Sequence, residues 1–258
     1  MTLPWRQSVS ELFGTAVLVA VGLSIVIFDF GAHSPILHWV ASAALRRLIT
    51  GFLFGAVGAS IAISPVGKIS GAHINPAVTL AFWARGKMRA SDAAFYVLAQ
   101  LAGGLLGAAP LLAWGAMGQS VNFAATTPGT GYTARQALAG EALTTFTMVM
   151  LLFFFIGHRR LRAWTPLLFP FLYAVMVWLE APVSGTSTNP ARSFGPSVVA
   201  GVWQAGWIYW AGPVAGALLA SSAHRFTWLR RFEIEVAKVY HFEHDPRGFF
   251  RRGSSNPA

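Results

Sequence analysis

The sequence predicts an all-α membrane protein with six transmembrane helices plus two re-entrant half-helices, arranged as an inverted repeat. Three observations predict it. Of the 258 residues, 55% are hydrophobic and 11% charged, where a soluble domain averages about 25% charged. Six stretches are long enough to cross a hydrocarbon core about 30 Å thick, which takes about 20 apolar residues. Residues 70–77, Ser-Gly-Ala-His-Ile-Asn-Pro-Ala, return at 184–191 as Ser-Gly-Thr-Ser-Thr-Asn-Pro-Ala, 114 residues further on.

The mean hydropathy of +0.54 excludes a cytosolic enzyme, a disulfide-stapled secreted protein and a disordered chain. The chain has no cysteine, which removes thiol nucleophiles, thiolate metal sites and redox switches. No Ser/His/Asp, HExxH or Gly-rich phosphate pattern is present, and the histidines have no metal-ligand spacing. The expectation is therefore no enzyme, no cofactor and no metal.

The first span, 9–28, is too long for the apolar core of a signal peptide, carries Glu11 and lacks a convincing cleavage site, so it reads as a helix. The second is 44–64. The short apolar segment 76–84 follows the first Asn-Pro-Ala and, at 1.5 Å per residue, reaches about half the core. The third span, 92–114, closes the first half. The fourth, 136–157, carries Glu141 as the first carries Glu11, and the fifth is 165–181. The second short segment, 190–200, follows the second Asn-Pro-Ala, and the sixth span is 204–223. Each half thus has three crossings and a half-helix. Three is odd, so the second half enters from the opposite side, an architecture of membrane transport proteins. The halves are about 8–115 and 135–224 of a body 1–224. Residues 225–258 read as a basic tail, solvated and touching anionic headgroups.

Fifteen of the Lys and Arg residues fall on the side holding both termini, against Arg46, Arg47, Arg135 and Arg192 on the other. Lys and Arg favour the cytoplasmic side, so both termini are expected there. This accounts for the net charge of +10 without nucleic acid. The pairs Gly51 and Gly55, Gly103 and Gly107, and Gly212 and Gly216 are four apart, the spacing that lets helices approach closely in lipid.

Asn-Pro-Ala is a helix start. The asparagine oxygen caps orphan N–H groups, and proline suits the first helical position, where a missing N–H costs nothing. Inverted topology makes two such starts meet near the midplane, each carrying roughly half a positive charge. The asparagine NH₂ groups are expected to stay free for a lumen, giving a field that favours a neutral lone-pair donor and repels cations. Asn256-Pro257-Ala258 precedes no apolar segment and reads as coincidence.

With these motifs the chain resembles the aquaporin, or major intrinsic protein, family over residues 8–224. The resemblance rests on Ser70-Gly71-Ala72-His73-Ile74-Asn75-Pro76-Ala77-Val78-Thr79, on Gly185-Thr186-Ser187-Thr188-Asn189-Pro190-Ala191-Arg192-Ser193, and on Glu11 and Glu141. It implies a homotetramer with a pore in each subunit, conducting water or small neutral solutes passively. Asn75, Pro76, Ala77, Asn189, Pro190 and Ala191 then meet in the pore. Arg192 matches the selectivity-filter arginine, Thr186 the loop position and Val177 the fifth-helix position, where strict water channels tend to have histidine. The second-helix position falls on Gly55, or on Phe54 if 64–67 hides an insertion. Glu11 and Glu141 match carboxylates that support the re-entrant loops, and His73 a loop-packing residue at the vestibule. Ser193, Ser197 and the pair Tyr209-Trp210 resemble water channels rather than glycerol channels. Two alternatives remain open: a glycerol, urea or metalloid-hydroxide facilitator of the same fold, and a proton-coupled secondary transporter using the embedded carboxylates. Short loops and the absence of a targeting signal point to a prokaryotic inner membrane.

Overall fold

The computed structural model describes residues 4–240. The distal tail, with Asn256-Pro257-Ala258, lies outside the described residues. All regular structure among the described residues is helical, and eight helices build the body: α1 (Trp5–Phe30), α2 (Ala43–Ile63), α3 (Pro76–Ala84), α4 (Ala90–Ala108), α5 (Ala134–Gly157), α6 (Thr165–Ser184), α7 (Pro190–Ala200) and α8 (Ile208–Phe226). α3 and α7 are the two half-length helices.

Local chemistry sets the ends. The Ser42 hydroxyl accepts from Leu45 N–H and starts α2. Thr133 and Gln136 form a reciprocal capping box at α5. α2 stops at Ile63 because Ser64 caps a short helix, Pro65–Ser70, which the hydropathy pattern did not predict. The third span loses α geometry after Ala108 and finishes as a 3₁₀ turn, Ala109–Trp114, carrying Pro110. The sixth starts at Ile208 rather than 204, after a turn in which Ala205 has φ 51°. Five of the six long elements have the length and composition to cross a membrane. α8 is not among them, because His224 and Arg225 occupy its last turn. Its 19 residues still reach nearly 30 Å at 1.5 Å each.

The three glycine pairs sit at helix crossings. A Cβ on Gly51 or Gly55 would lie 2.3 or 2.4 Å from backbone oxygens of α6. On Gly103 or Gly107 it would lie 2.2 or 2.3 Å from those of α1, and on Gly216 2.3 Å from Ala142 O of α5. No side chain fits at such distances, so these glycines fix how close the helix axes come. The second helices of the two halves, α2 and α6, cross at the centre. The outer pairs α1 with α4 and α5 with α8 repeat one another across the inverted halves.

The proximal tail departs from the expected solvated chain. After a 3₁₀ turn, Trp228–Arg231, it runs back against the body and buries Ile234, Ala237, Lys238 and Val239. The sequence hides this, because Ile234, Ala237 and Val239 are scattered among charged residues with no helical or strand period.

Candidate functional site: the junction of two re-entrant loops

Each half-helix begins as its triplet requires. Asn75 Oδ1 accepts from Ala77 N–H at 2.8 Å, and Asn189 Oδ1 from Ala191 N–H at 3.0 Å and Arg192 N–H at 3.3 Å. Pro76 and Pro190 occupy the first helical positions, and Pro76, Ala77, Pro190 and Ala191 are buried. The two starts face each other. Asn75 Nδ2 donates to Thr188 O at 2.9 Å, and Asn189 Nδ2 donates to Ile74 O at 2.9 Å. This corrects the expectation that both NH₂ groups stay wholly free: one N–H of each asparagine is spent on the opposite loop, which leaves one.

The loops are near copies in conformation. Gly71, Ala72 and Ile74 have φ of 87, 56 and 42°, and Gly185, Thr186 and Thr188 have 86, 50 and 51°. Four of these six residues carry side chains in the left-handed region, at a cost of about 1–3 kcal/mol each. Such backbone persists only where its surroundings over-determine it, and two buried carboxylates do so. Glu11 accepts from His73 N–H at 2.9 Å, Ile74 N–H at 2.6 Å and Gln100 Nε2 at 2.7 Å. Glu141 accepts from Ser187 N–H and Thr188 N–H, both at 2.7 Å, and from the Ser184 hydroxyl. Both carboxylates are fully buried. His73 is buried as well, its ring bonded to Thr79 Oγ1 and Ala237 O, each at 3.1 Å, and stacked on Phe82.

Two cavities lie along this axis, with Phe54 and Tyr173 in the wall of both. The inner one, about 50 Å³, is lined by Asn75, Asn189, Ala72, His73, Leu18 and Val78 among others. The outer one, about 350 Å³, is lined by Arg192, Thr186, Val177, Thr50, Arg47 and Thr126 among others. Arg192, Thr186 and Val177 therefore share one chamber. The buried Thr186 hydroxyl has no protein partner. Arg192 Nη1 lies 3.5 Å from Ala124 O, on a segment where Asn122, Phe123 and Ala124 all have positive φ. Ser193 fastens that segment through the Thr126 hydroxyl at 2.7 Å and the Ser187 hydroxyl at 2.6 Å. Ser197 is buried, and Tyr209 OH donates to Ser184 O at 2.9 Å.

Of the two second-helix candidates, Gly55 borders the inner cavity and turns its Cα toward Phe169 O of α6. Phe54 borders both cavities. Its ring lies over Gly22 of α1, where a Cβ would come within 2.6 Å of it, and against Tyr173 at 5.6 Å between centroids.

Sequence reasoning missed four participants. Tyr173 stands four residues before Val177 on the same helix face, a signal that was available. Glu180 and Gln100, buried polar residues inside apolar spans, were available on the same grounds; Glu180 shares the Ser184 hydroxyl with Glu141. The left-handed run 122–124 carried no signal beyond Asn122.

A family model described as Major intrinsic protein matches residues 1–224. Aquaporin-4 of Mus musculus is 30% identical over 233 residues, covering 90% of this chain and 70% of that protein. Aquaporin Z of Photorhabdus laumondii is 30% identical over 247 residues, covering 88% of this chain and 99% of that protein. The solved structure of the aquaglyceroporin from Plasmodium falciparum shares the fold, with a TM-score of 0.67 at 17% identity, covering 89% of this chain and 98% of that one.

Proposed function

The chain belongs to the major intrinsic protein family, and from that premise we propose that it is a passive transmembrane channel for water, in which Asn75 and Asn189 orient the permeating molecule and Arg192, with Thr186, Val177 and Phe54, selects it. The reciprocal bonding of the two asparagines in the wall of the inner cavity carries this reading. A water molecule at the junction finds one donor from each asparagine, with a positive helix end behind each. Its oxygen is drawn in, while a cation meets two like-signed fields. Arg192 adds a fixed positive charge in the outer chamber.

The buried carboxylates support a structural reading over proton coupling. Each accepts successive backbone N–H groups of a strained loop, and protonation would remove acceptor capacity the loop uses. We assign the body to residues 1–224, an integral membrane protein with both termini cytoplasmic, in a prokaryotic inner membrane and as a homotetramer.

The test is stopped-flow light scattering on proteoliposomes with water, glycerol and urea measured side by side. Rapid water flux with an activation energy close to that of water diffusion, unaffected by a pH gradient, is the expected outcome. Comparable glycerol or urea flux would assign the chain to the facilitators, and flux that requires a proton gradient would overturn the passive reading.

A further inference from the structure

Phe54 and Tyr173 border both cavities, so the passage from the Arg192 chamber to the asparagine junction runs past a tilted aromatic pair. Tyr173 and Val177 are one helical turn apart on α6, and both line the outer chamber. The Tyr173 hydroxyl lies 2.9 Å from the Thr188 hydroxyl and 3.3 Å from Met148 Sδ. With that hydroxyl turned to Thr188 and Met148, Tyr173 presents its ring to the lumen. Its backbone is fixed as well, because Gly51 of α2 packs directly against Tyr173 O. Phe54 is held on its other side by the vacancy at Gly22.

We propose that Tyr173 is a specificity-determining residue: with Phe54 it forms a rigid apolar neck between the Arg192 chamber and the asparagine pair, and this neck admits water and excludes polyols and urea. The assignment rests on the channel reading above. The outer chamber is wide, and Val177 supplies neither bulk nor a donor, so size exclusion falls to the ring one turn further in. A single water can shed part of its hydrogen bonding for the length of one ring and recover it at Asn75 and Asn189. Glycerol and urea carry several polar groups that would all lose water beside the ring carbons, and a buried polar group without a partner is costly.

The experiment compares parent, Tyr173→Val and Tyr173→Phe in proteoliposomes holding equal protein, with water, glycerol and urea as separate solutes. Tyr173→Val joins the two cavities. It should raise glycerol and urea flux about tenfold relative to water, the effect of lowering a barrier by about 1.4 kcal/mol. Tyr173→Phe keeps the ring and should keep the parent's ratio. If Tyr173→Val does not fold, Tyr173→Leu, which is smaller than the ring, takes its place with a smaller rise in the same direction. An unchanged solute ratio in the folded variant, or an equal rise in Tyr173→Phe, would overturn the neck. Absence of water flux in the parent and in Glu235→Lys alike would instead overturn the channel reading.

An independent observation concerns the tail. Ala237 O accepts from His73 Nε2 at 3.1 Å, Val239 N–H donates to Gly71 O at 2.9 Å, and Val239 lines the inner cavity. Phe232 packs edge-on against Phe154 at 4.9 Å, and Arg162 pairs with Glu235 at 3.5 Å. From this geometry we infer that residues 232–239 form an intramolecular stopper over the inner mouth, seated on the first re-entrant loop. Because the chain has no cysteine, Ala237→Cys gives a single labelling site in the full chain. Maleimide should label it slowly, and Glu235→Lys, which turns the exposed ion pair into repulsion, should speed labelling and raise water flux together. Equally fast labelling in both backgrounds, or faster labelling with unchanged flux, would overturn the stopper.

Discussion

Asn189 performs two tasks with two atoms: its oxygen caps α7, and its nitrogen holds the opposite loop. Asn189→Asp keeps the cap but loses the donor, and sets a negative charge where two positive helix ends meet. The expected result is measurable cation conductance in planar bilayers with water flux retained; continued exclusion of cations would mean the asparagine does not set the barrier. Glu11 is the other single residue on which a loop depends, through His73 and Ile74 N–H. Glu11→Gln puts an NH₂ group where one of these donors or Gln100 Nε2 needs an acceptor. An unmatched buried donor costs about 1–3 kcal/mol, so the detergent-solubilised variant should unfold at lower temperature, with Glu141→Gln doing the same in the second loop. At this scale the sequence is informative where chemistry is local. Asn-Pro-Ala announces a helix start by its own cap and proline. That each asparagine also reaches across 113 or 115 residues is written nowhere near it.

Helices α1 and α4 meet through Gly103 and Gly107, with no space for a Cβ against Leu12 O and Ala16 O. Gly107→Val must push the pair apart. Overpacking of this kind costs about 1–3 kcal/mol and often more against backbone, so the variant should yield less folded protein by size-exclusion chromatography. Gly58→Ala in α2, where a Cβ would meet nothing closer than Leu18 Cδ1 at 3.9 Å, controls for the change in chain composition and should fold as the parent does. The elements themselves were legible because lipid imposes one length and one composition on a crossing helix. Boundaries shifted where a cap or a turn intervened, as at Ser64 and Ala205. The second-helix register was not legible. Gly55 and Phe54 differ by one position on a helix, and only the approach of α1 and α6 decides that the ring of Phe54, not the Cα of Gly55, borders both chambers.

For the whole molecule the unequal division of Lys and Arg makes a prediction independent of the pore. A reporter active only in the cytoplasm, fused after Ala258, should be active, and one inserted in the segment between α1 and α2 should be silent. The reverse pattern would invert every assignment of inner and outer made above. The subunit's lipid-facing or partner-facing sides carry large apolar groups, among them Leu98, Leu106, Leu143 and Leu219. Light scattering on the detergent complex should give four times the chain mass of 27.7 kDa after subtraction of detergent, and a single-chain mass would count against the homotetramer.

The reciprocal bonds between the two asparagines also bear on how the molecule is made. Asn75 leaves the ribosome long before Thr188, the residue whose carbonyl receives its amide, and 113 residues separate them. At about 5–20 residues per second the wait is on the order of ten seconds. Throughout that interval the first re-entrant loop has Glu11 behind it and nothing in front. The first half can thread the bilayer by itself, but its loop cannot take up final form until the second half arrives to complete it. Synthesis of this chain is therefore sequential, while maturation of its centre is a single late event, to which both halves contribute at once.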